Sequence, residues 1–201
     1  MPWDACLVET DTATRLLMQR ALQAVLGQRA AIACAGGRDQ GLAVARMLPP
    51  AGRQGAMAEL AIVDGELPDW GCIEILGWLH RAGARSFVSL ERLDGDFLYA
   101  ALRAGADGFL MKAWGIDEIT HLLRQLIEDR LGLQWELAEC IVHRHHLPHD
   151  GGTTQLTELE RDLLVYLGKG FTLQECVALT ARAHGDLQRC VRSALQRIRK
   201  A

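Results

Sequence analysis

The sequence predicts an α/β domain joined to a smaller all-α one: a five-stranded, doubly wound parallel (βα)5 sheet followed by a helical domain. Three observations predict it. Short apolar runs alternate five times with segments of helical period before residue 128. The apolar runs lack an apolar–polar alternation, as expected when helices cover both faces of a parallel sheet. From Leu156 onward the pattern is helical throughout.

Cys6-Leu7-Val8 is the first strand and runs into the polar Glu9-Thr10-Asp11-Thr12. Leu16, Leu17, Ala21, Leu22, Val25 and Leu26 then recur at helical spacing, with Gly27 as the stop. Ala31 to Ala35 is the second strand, closed by Gly36-Gly37, and Gln40 to Leu48 is a helix ended by Pro49-Pro50. Glu59 to Val63 is the third strand and meets Asp64; Ile73 to Leu79 supplies the next helix. Ser86 to Leu90, Phe97 to Ala104, Gly108 to Met111 and Ile116 to Ile127 complete the alternation. Leu133 to His143 reads as a further amphipathic helix, and His145 to Thr154 as a breaker-rich linker. Helices follow over Glu158 to Leu167, Leu173 to about Ala183, and Leu187 to Arg199. The expected organisation is an α/β domain over 1–128, a helical linker over 129–152 and a small helical domain over 153–201.

Hydrophobic residues make up 49% of the 201-residue chain and charged residues 23%, enough apolar side chains for a core. A net charge of −3 excludes a chain that binds polyanions over its whole surface, so charge is read by segment. From Cys176 to Ala201 there are six cations against one acid, Asp186, a local charge of +5. The six cysteines form no Cys-x-x-Cys pair and sit in apolar or helical contexts, so they are expected to be buried reduced thiols of a cytoplasmic protein. No apolar run approaches the ~20 residues of a membrane span, and Asp4 and Glu9 interrupt any signal-like start. No nucleophile–base pair or cofactor loop stands out, so an enzyme is not expected.

In a doubly wound sheet, function gathers at the carboxyl ends of the strands. Those ends carry Glu9, Thr10 and Asp11, then Asp64, then Leu90 and Glu91, then Lys112. Carboxylates so placed hold a hard cation such as Mg²⁺ through oxygen. A cation and a lysine together neutralise a phosphoryl group carried on a third carboxylate.

Leu7-Val8-Glu9-Thr10-Asp11, the segment from Asp64 through Pro68 to Gly71, and Ala101 to Lys112 (ALRAGADGFLMK) resemble the receiver domain of two-component response regulators. The resemblance covers about residues 5 to 128. It implies that Asp64 accepts a phosphoryl group, that Glu9 and Asp11 form the acidic pocket for Mg²⁺, that Lys112 contacts the phosphate, and that Ser89 and Phe109 are switch residues. Two positions depart from the family. Thr10 stands where the second acid belongs, and Leu90 aligns with the hydroxyl residue after the fourth strand, with Ser89 beside it. A one-residue offset in a strand points a side chain to the other face. Phosphorylation is therefore expected to be impaired, with Mg²⁺ weakly bound at best.

Leu156-Thr157-Glu158-Leu159-Glu160 through Gly170 resembles the start of the LuxR/FixJ-type, NarL-like helix-turn-helix domain. Thr157 and Glu160 have the spacing of a capping box. Phe171 to Val177 resembles the second helix, and the last helix falls where that fold reads the major groove. The resemblance implies DNA binding through Arg182, Arg189, Arg192, Arg197 and Lys200. The family adds a fourth helix, so the domain is expected to be a truncated version. His143, His145, His146 and His149 match no closed metal-site spacing. The expected function is a DNA-binding transcriptional regulator with a degenerate receiver, governed by dimerisation or partner binding. A homodimer through the exposed Phe97 to Lys112 segment, promoter DNA and a histidine kinase are the expected partners, with no membrane. The alternative is a signalling adaptor that does not read DNA.

Overall fold

The computed structural model describes residues 4–47, 60–128, 133–145 and 156–200. Its first elements are β1 (Ala5–Val8), α1 (Thr12–Leu26), β2 (Ile32–Ala35), α2 (Arg38–Met47), β3 (Leu60–Asp64), α3 (Gly71–Ala82), β4 (Arg85–Leu90), α4 (Gly95–Ala104), β5 (Gly108–Met111) and α5 (Ile116–Ile127). All strand pairs are parallel, in the order β2-β1-β3-β4-β5. The central strands β1 and β3 are buried along their whole length, which explains their unalternating apolar sequence. Val8 lies opposite Val63, and Asp64 opposite Ser89. The residues that leave these strands therefore emerge together at the sheet's carboxyl edge, beside the switch point between β1 and β3.

Not every cysteine is buried as expected. Cys34 is exposed, and Cys140 and Cys190 are half-buried. Cys34 sits on β2, an edge strand, with its side chain toward the exposed side among the described residues. Cys6 and Cys72 are buried, and burial pushes the Cys6 thiol up to about 12 and the Cys72 thiol higher still.

The connection from β3 to α3 is strained. Asp69 and Trp70 both take the left-handed conformation, with φ of 55° and 57°, at a cost of roughly 1–2 kcal/mol per residue for a side chain with a Cβ. Gly71 follows because a Cβ there would lie 2.7 Å from the Arg38 stem.

The helices after α5 are α6 (Trp135–Arg144), α7 (Glu158–Gly168), α8 (Leu173–Thr180) and α9 (His184–Lys200). The chain divides into two compact units. One comprises Met1–Leu93 and Ala104–Arg130, and the other Asp94–Arg103 and Leu131–Ala201. The second unit thus takes in most of α4 as well as α6. Arg144 pairs with Asp96 at 2.7 Å and lies over the Tyr99 ring, the Tyr99 hydroxyl meets His145 Nε2 at 2.8 Å, and Arg199 Nε donates to the Leu102 carbonyl at 3.1 Å. This corrects the expectation of a wholly exposed α4: Tyr99 and Leu102 are met by α6 and α9, whereas Asp96 keeps its side chain in solvent. Within the same unit α6 and α7 approach so closely that a Cβ on Gly168 would stand 3.2 Å from the Glu139 backbone.

The last helix begins three residues earlier than expected and α8 ends at Thr180. The Thr180 hydroxyl bonds back to the Cys176 carbonyl at 2.7 Å, and Ala181 turns left-handed, which stops α8. Ala183 then accepts the first backbone bonds of α9. His146 and His149 lie outside the described residues.

Candidate functional site

Asp64 ends β3 and is buried, and so is Glu9 just after β1. Lys112 follows β5 and reaches back between them. Its Nζ lies 2.7 Å from Asp64 Oδ1 and 2.9 Å from Glu9 Oε1. The strand order places β1 and β3 side by side, so two carboxylates separated by 55 positions in sequence share one ammonium group.

The remaining carboxylate oxygens are also occupied. The Thr10 hydroxyl donates to Asp64 Oδ2 at 2.6 Å, and the Thr10 amide adds a longer bond of 3.3 Å. The Glu66 amide donates to Asp64 Oδ1 at 2.9 Å. On Glu9, Oε1 accepts the Asp11 amide at 3.1 Å, and Oε2 accepts the Ser89 hydroxyl at 3.1 Å. Each of the four oxygens thus has at least one protein donor. Burial pushes the Glu9 carboxyl up, and the neighbouring Asp64 charge adds to this against the pull of Lys112. Burial also pushes on Asp64, but the Lys112, Thr10 and Glu66 donors outweigh it and hold its carboxyl below the usual range. Burial works against the Lys112 charge, yet its bonds to both carboxylates keep the ammonium protonated.

The structure brings together Glu9, Asp64, Lys112 and Ser89, and adds Thr10. It does not bring Asp11 into the pocket. The Asp11 side chain caps α1 by accepting the Thr14 amide at 2.7 Å, which lowers its pKa. Ser89 reaches the cluster from the strand position beside Leu90, correcting the expected offset: it stands opposite Asp64 in register, and its hydroxyl meets Glu9 as the chain leaves β1. Leu90 is buried. Phe109 is also buried, 5.9 Å from the Trp114 ring between centroids.

A resident Mg²⁺ does not fit this donor set as it stands. The ion wants several open oxygens. Here the Lys112 ammonium bridges one oxygen of each buried carboxylate, the remaining two accept hydroxyl protons, and Asp11 is committed to a helix cap. Among the described residues no group of three or more His, Cys, Asp or Glu is arranged to hold a metal.

The second candidate surface lies on α9. Leu187, Val191, Ala194 and Ile198 are its buried stripe. At about 100° per residue, Arg189, Arg192, Gln196 and Lys200 form a band on the opposite side, and all four are exposed. Arg182 is exposed in the turn between α8 and α9. Thr172 caps α8 through a capping box with Glu175. Arg189 pairs with Asp186 one turn back on the same helix. Arg197 differs from the other cations. It falls on the side of α9, and its Nε lies 3.4 Å from Glu160 on α7.

No family model and no curated relative matches this chain. Solved structures do. The Salmonella typhimurium response regulator RcsB, described for conformational dynamism in its DNA interaction, is similar at a TM-score of 0.52 and 14% identity, over 98% of this chain and 92% of that one. A LuxR-family two-component response regulator from an Aurantimonas species is similar at a TM-score of 0.51 and 19% identity, over 71% of this chain and 96% of that one. The fold is that of a response-regulator receiver sheet followed by a helical domain. No described helix is long and apolar enough to cross a membrane.

Two residues of these surfaces were not singled out as site residues from the sequence. Thr10 reads there only as a lost acid, whereas in the fold its hydroxyl closes on Asp64. Glu160 reads as half of a capping box, a role it has, since it accepts the Thr157 amide at 2.7 Å. Nothing in the local pattern marks it as the partner of a residue 37 positions later.

Proposed function

We propose that this chain is a DNA-binding transcriptional regulator whose receiver unit, spanning about residues 1–128, acts as a docking or dimerisation platform instead of a phosphorylation switch. The observation that carries the second half is the saturated cluster around Asp64. A phosphoryl transfer to Asp64 has to break the Lys112, Thr10 and Glu66 bonds, and the other buried carboxylate, Glu9, already accepts protein donors on both oxygens. The DNA half rests on the band of Arg189, Arg192 and Lys200 facing away from the core, behind a capped helix and a short turn. On this reading Arg182, Arg189, Arg192 and Lys200 contact phosphates or bases, Glu9, Asp64, Lys112 and Ser89 form a structural lock, and Phe109 packs the core. The protein works in the cytoplasm, self-associates through its receiver unit and answers to a signalling partner such as a kinase.

Two measurements test it. Incubation with a small phosphodonor and Mg²⁺ is expected to leave the mass of the Asp64 peptide unchanged; a stoichiometric phosphoryl gain would overturn the lock. A gel shift with promoter DNA is expected to show binding that R189A and R192A each weaken. Absence of any shift would favour the adaptor reading, which draws on Trp70, 64% exposed in a strained loop three residues past buried Leu67. In that case a complex with a signalling partner survives deletion of residues 153–201.

A further inference from the structure

We infer that Glu160 and Arg197 form an internal strut that sets α9 on α7, and that Arg197 is a positioning residue, not a DNA contact. The second half rests on the DNA-binding reading above; the strut itself does not.

Glu160 is a carboxylate on the first turn of α7 with only 3% of its side chain exposed. A buried carboxylate needs several donors to remain charged. Glu160 has them from two helices. The Thr157 amide meets it from its own helix start at 2.7 Å, the Ser193 side chain hydrogen-bonds to it from α9, and Arg197 approaches from the next turn of α9. Burial pushes its pKa up, but these partners prevail, Ser193 first, and hold the carboxyl below its usual range. Ser193 and Arg197 are four residues apart and stack on the same side of α9, with Arg197 Nε 3.5 Å from the Ser193 hydroxyl.

Arg197 lies roughly 80–100° away from both the buried stripe and the outward Arg189–Lys200 band of α9. A guanidinium held there by a buried carboxylate is not aimed where that band points. The carboxylate also offsets its charge, so the cation count of the last helix overstates the charge offered to phosphates. The opposite flank is tethered in the same manner, since Arg199 donates to the Leu102 carbonyl of α4. Two of the six cations from Cys176 onward thus clamp the helix that carries Arg189, Arg192 and Lys200.

The test uses the full chain and a short mixed-sequence DNA duplex. Each phosphate contact contributes about 0.9 to the slope of log K against log salt. R192A is expected to lower that slope by about one, whereas R197M leaves it unchanged and lowers Tm. In a double-mutant cycle R197M is expected to cost little further Tm once Glu160→Gln is present, because the pair is already broken. R197K, which keeps a cation near Glu160, is expected to recover part of the Tm. The inference is overturned if R197M lowers the slope by about one with Tm unchanged, or if its Tm loss is the same with and without E160Q. If the wild-type chain binds no duplex, the DNA reading fails, and the Tm cycle still decides the strut.

Discussion

The two units bury charge in opposite ways. In the sheet unit, Glu9, Asp64 and Lys112 converge at the place where a receiver fold performs its chemistry, and the cluster occupies that place. In the helical unit, Glu160 and Arg197 lie to one side of the exposed Arg189–Lys200 band and join α7 to the helix that carries it. The first arrangement satisfies its buried carboxylates from within the cluster. The second satisfies its buried carboxylate from the flank of an exposed band. Which role a buried ion pair takes depends on where its partners stand relative to the exposed face, not on the residue types, which are alike.

The sharpest way to break this contrast is at Lys112. K112M leaves two adjacent buried carboxylates with no cation, and is expected to destabilise the sheet unit by about 3–5 kcal/mol at neutral pH. Urea denaturation checks it. Lowering the pH should recover part of that loss in the variant, because protonating either carboxyl removes the uncompensated charge. A loss well below 1 kcal/mol would mean that the cluster is solvated and that the lock is not one.

Thr10 gives the next largest effect. T10V keeps the shape, removes the hydroxyl that meets Asp64 Oδ2 and leaves only the long amide bond. A loss of roughly 1–3 kcal/mol is expected, toward the lower end because Thr10 is exposed and water can replace the hydroxyl. An unchanged denaturation midpoint would place Thr10 outside the lock.

The helical unit responds through pH with a smaller effect, since the Arg197 side chain is 42% exposed and solvent screens the pair. The Glu160 carboxyl is held below its usual range, so the unfolded chain takes up its proton first. Its contribution is fully present above the unfolded pKa of about 4.3 and is lost as pH falls through the lower folded value. Thermal melts of E160Q against wild type should therefore differ at pH 7 and converge toward pH 3.

The smallest stability effect is expected at Arg189, whose partner Asp186 is on the surface of the same helix. R189A should change stability by no more than about 0.5 kcal/mol while lowering the salt slope for DNA by about one. A surface cation with a large effect on DNA binding and almost none on stability is the converse of Arg197.

Much of the fold was legible because it rests on local periodicity. The unalternating apolar strands Cys6-Leu7-Val8 and Leu60 to Val63, the caps at Thr157 and Thr172, and the 4-3-4 spacing of Leu187, Val191, Ala194 and Ile198 all carry their signal within a few residues. The candidate site was legible in part. Asp64, Glu9 and Lys112 stand at strand ends, and a parallel sheet brings strand ends together whatever else it does. Asp11 was not legible as a cap alone, since an aspartate before a helix serves equally well as a cap or as a ligand until its side chain takes a direction. Ser89 was named as a switch residue but read as offset from the expected position; it stands opposite Asp64 in register, so the same alternation that turns Leu90 away turns Ser89 toward the cluster.

By itself, then, the sequence determined the order and type of the elements, the acidic and basic residues at strand ends, and the charge of the last helix, because these follow from periodicity, capping and composition. Only the tertiary structure decided that Thr10 closes on Asp64, that Lys112 bridges two carboxylates, and that Arg197 turns inward to Glu160. Those outcomes depend on which groups meet across 37 to 103 positions of chain, and the cost of burying a charge without partners selects the arrangement in which the buried carboxylates find donors.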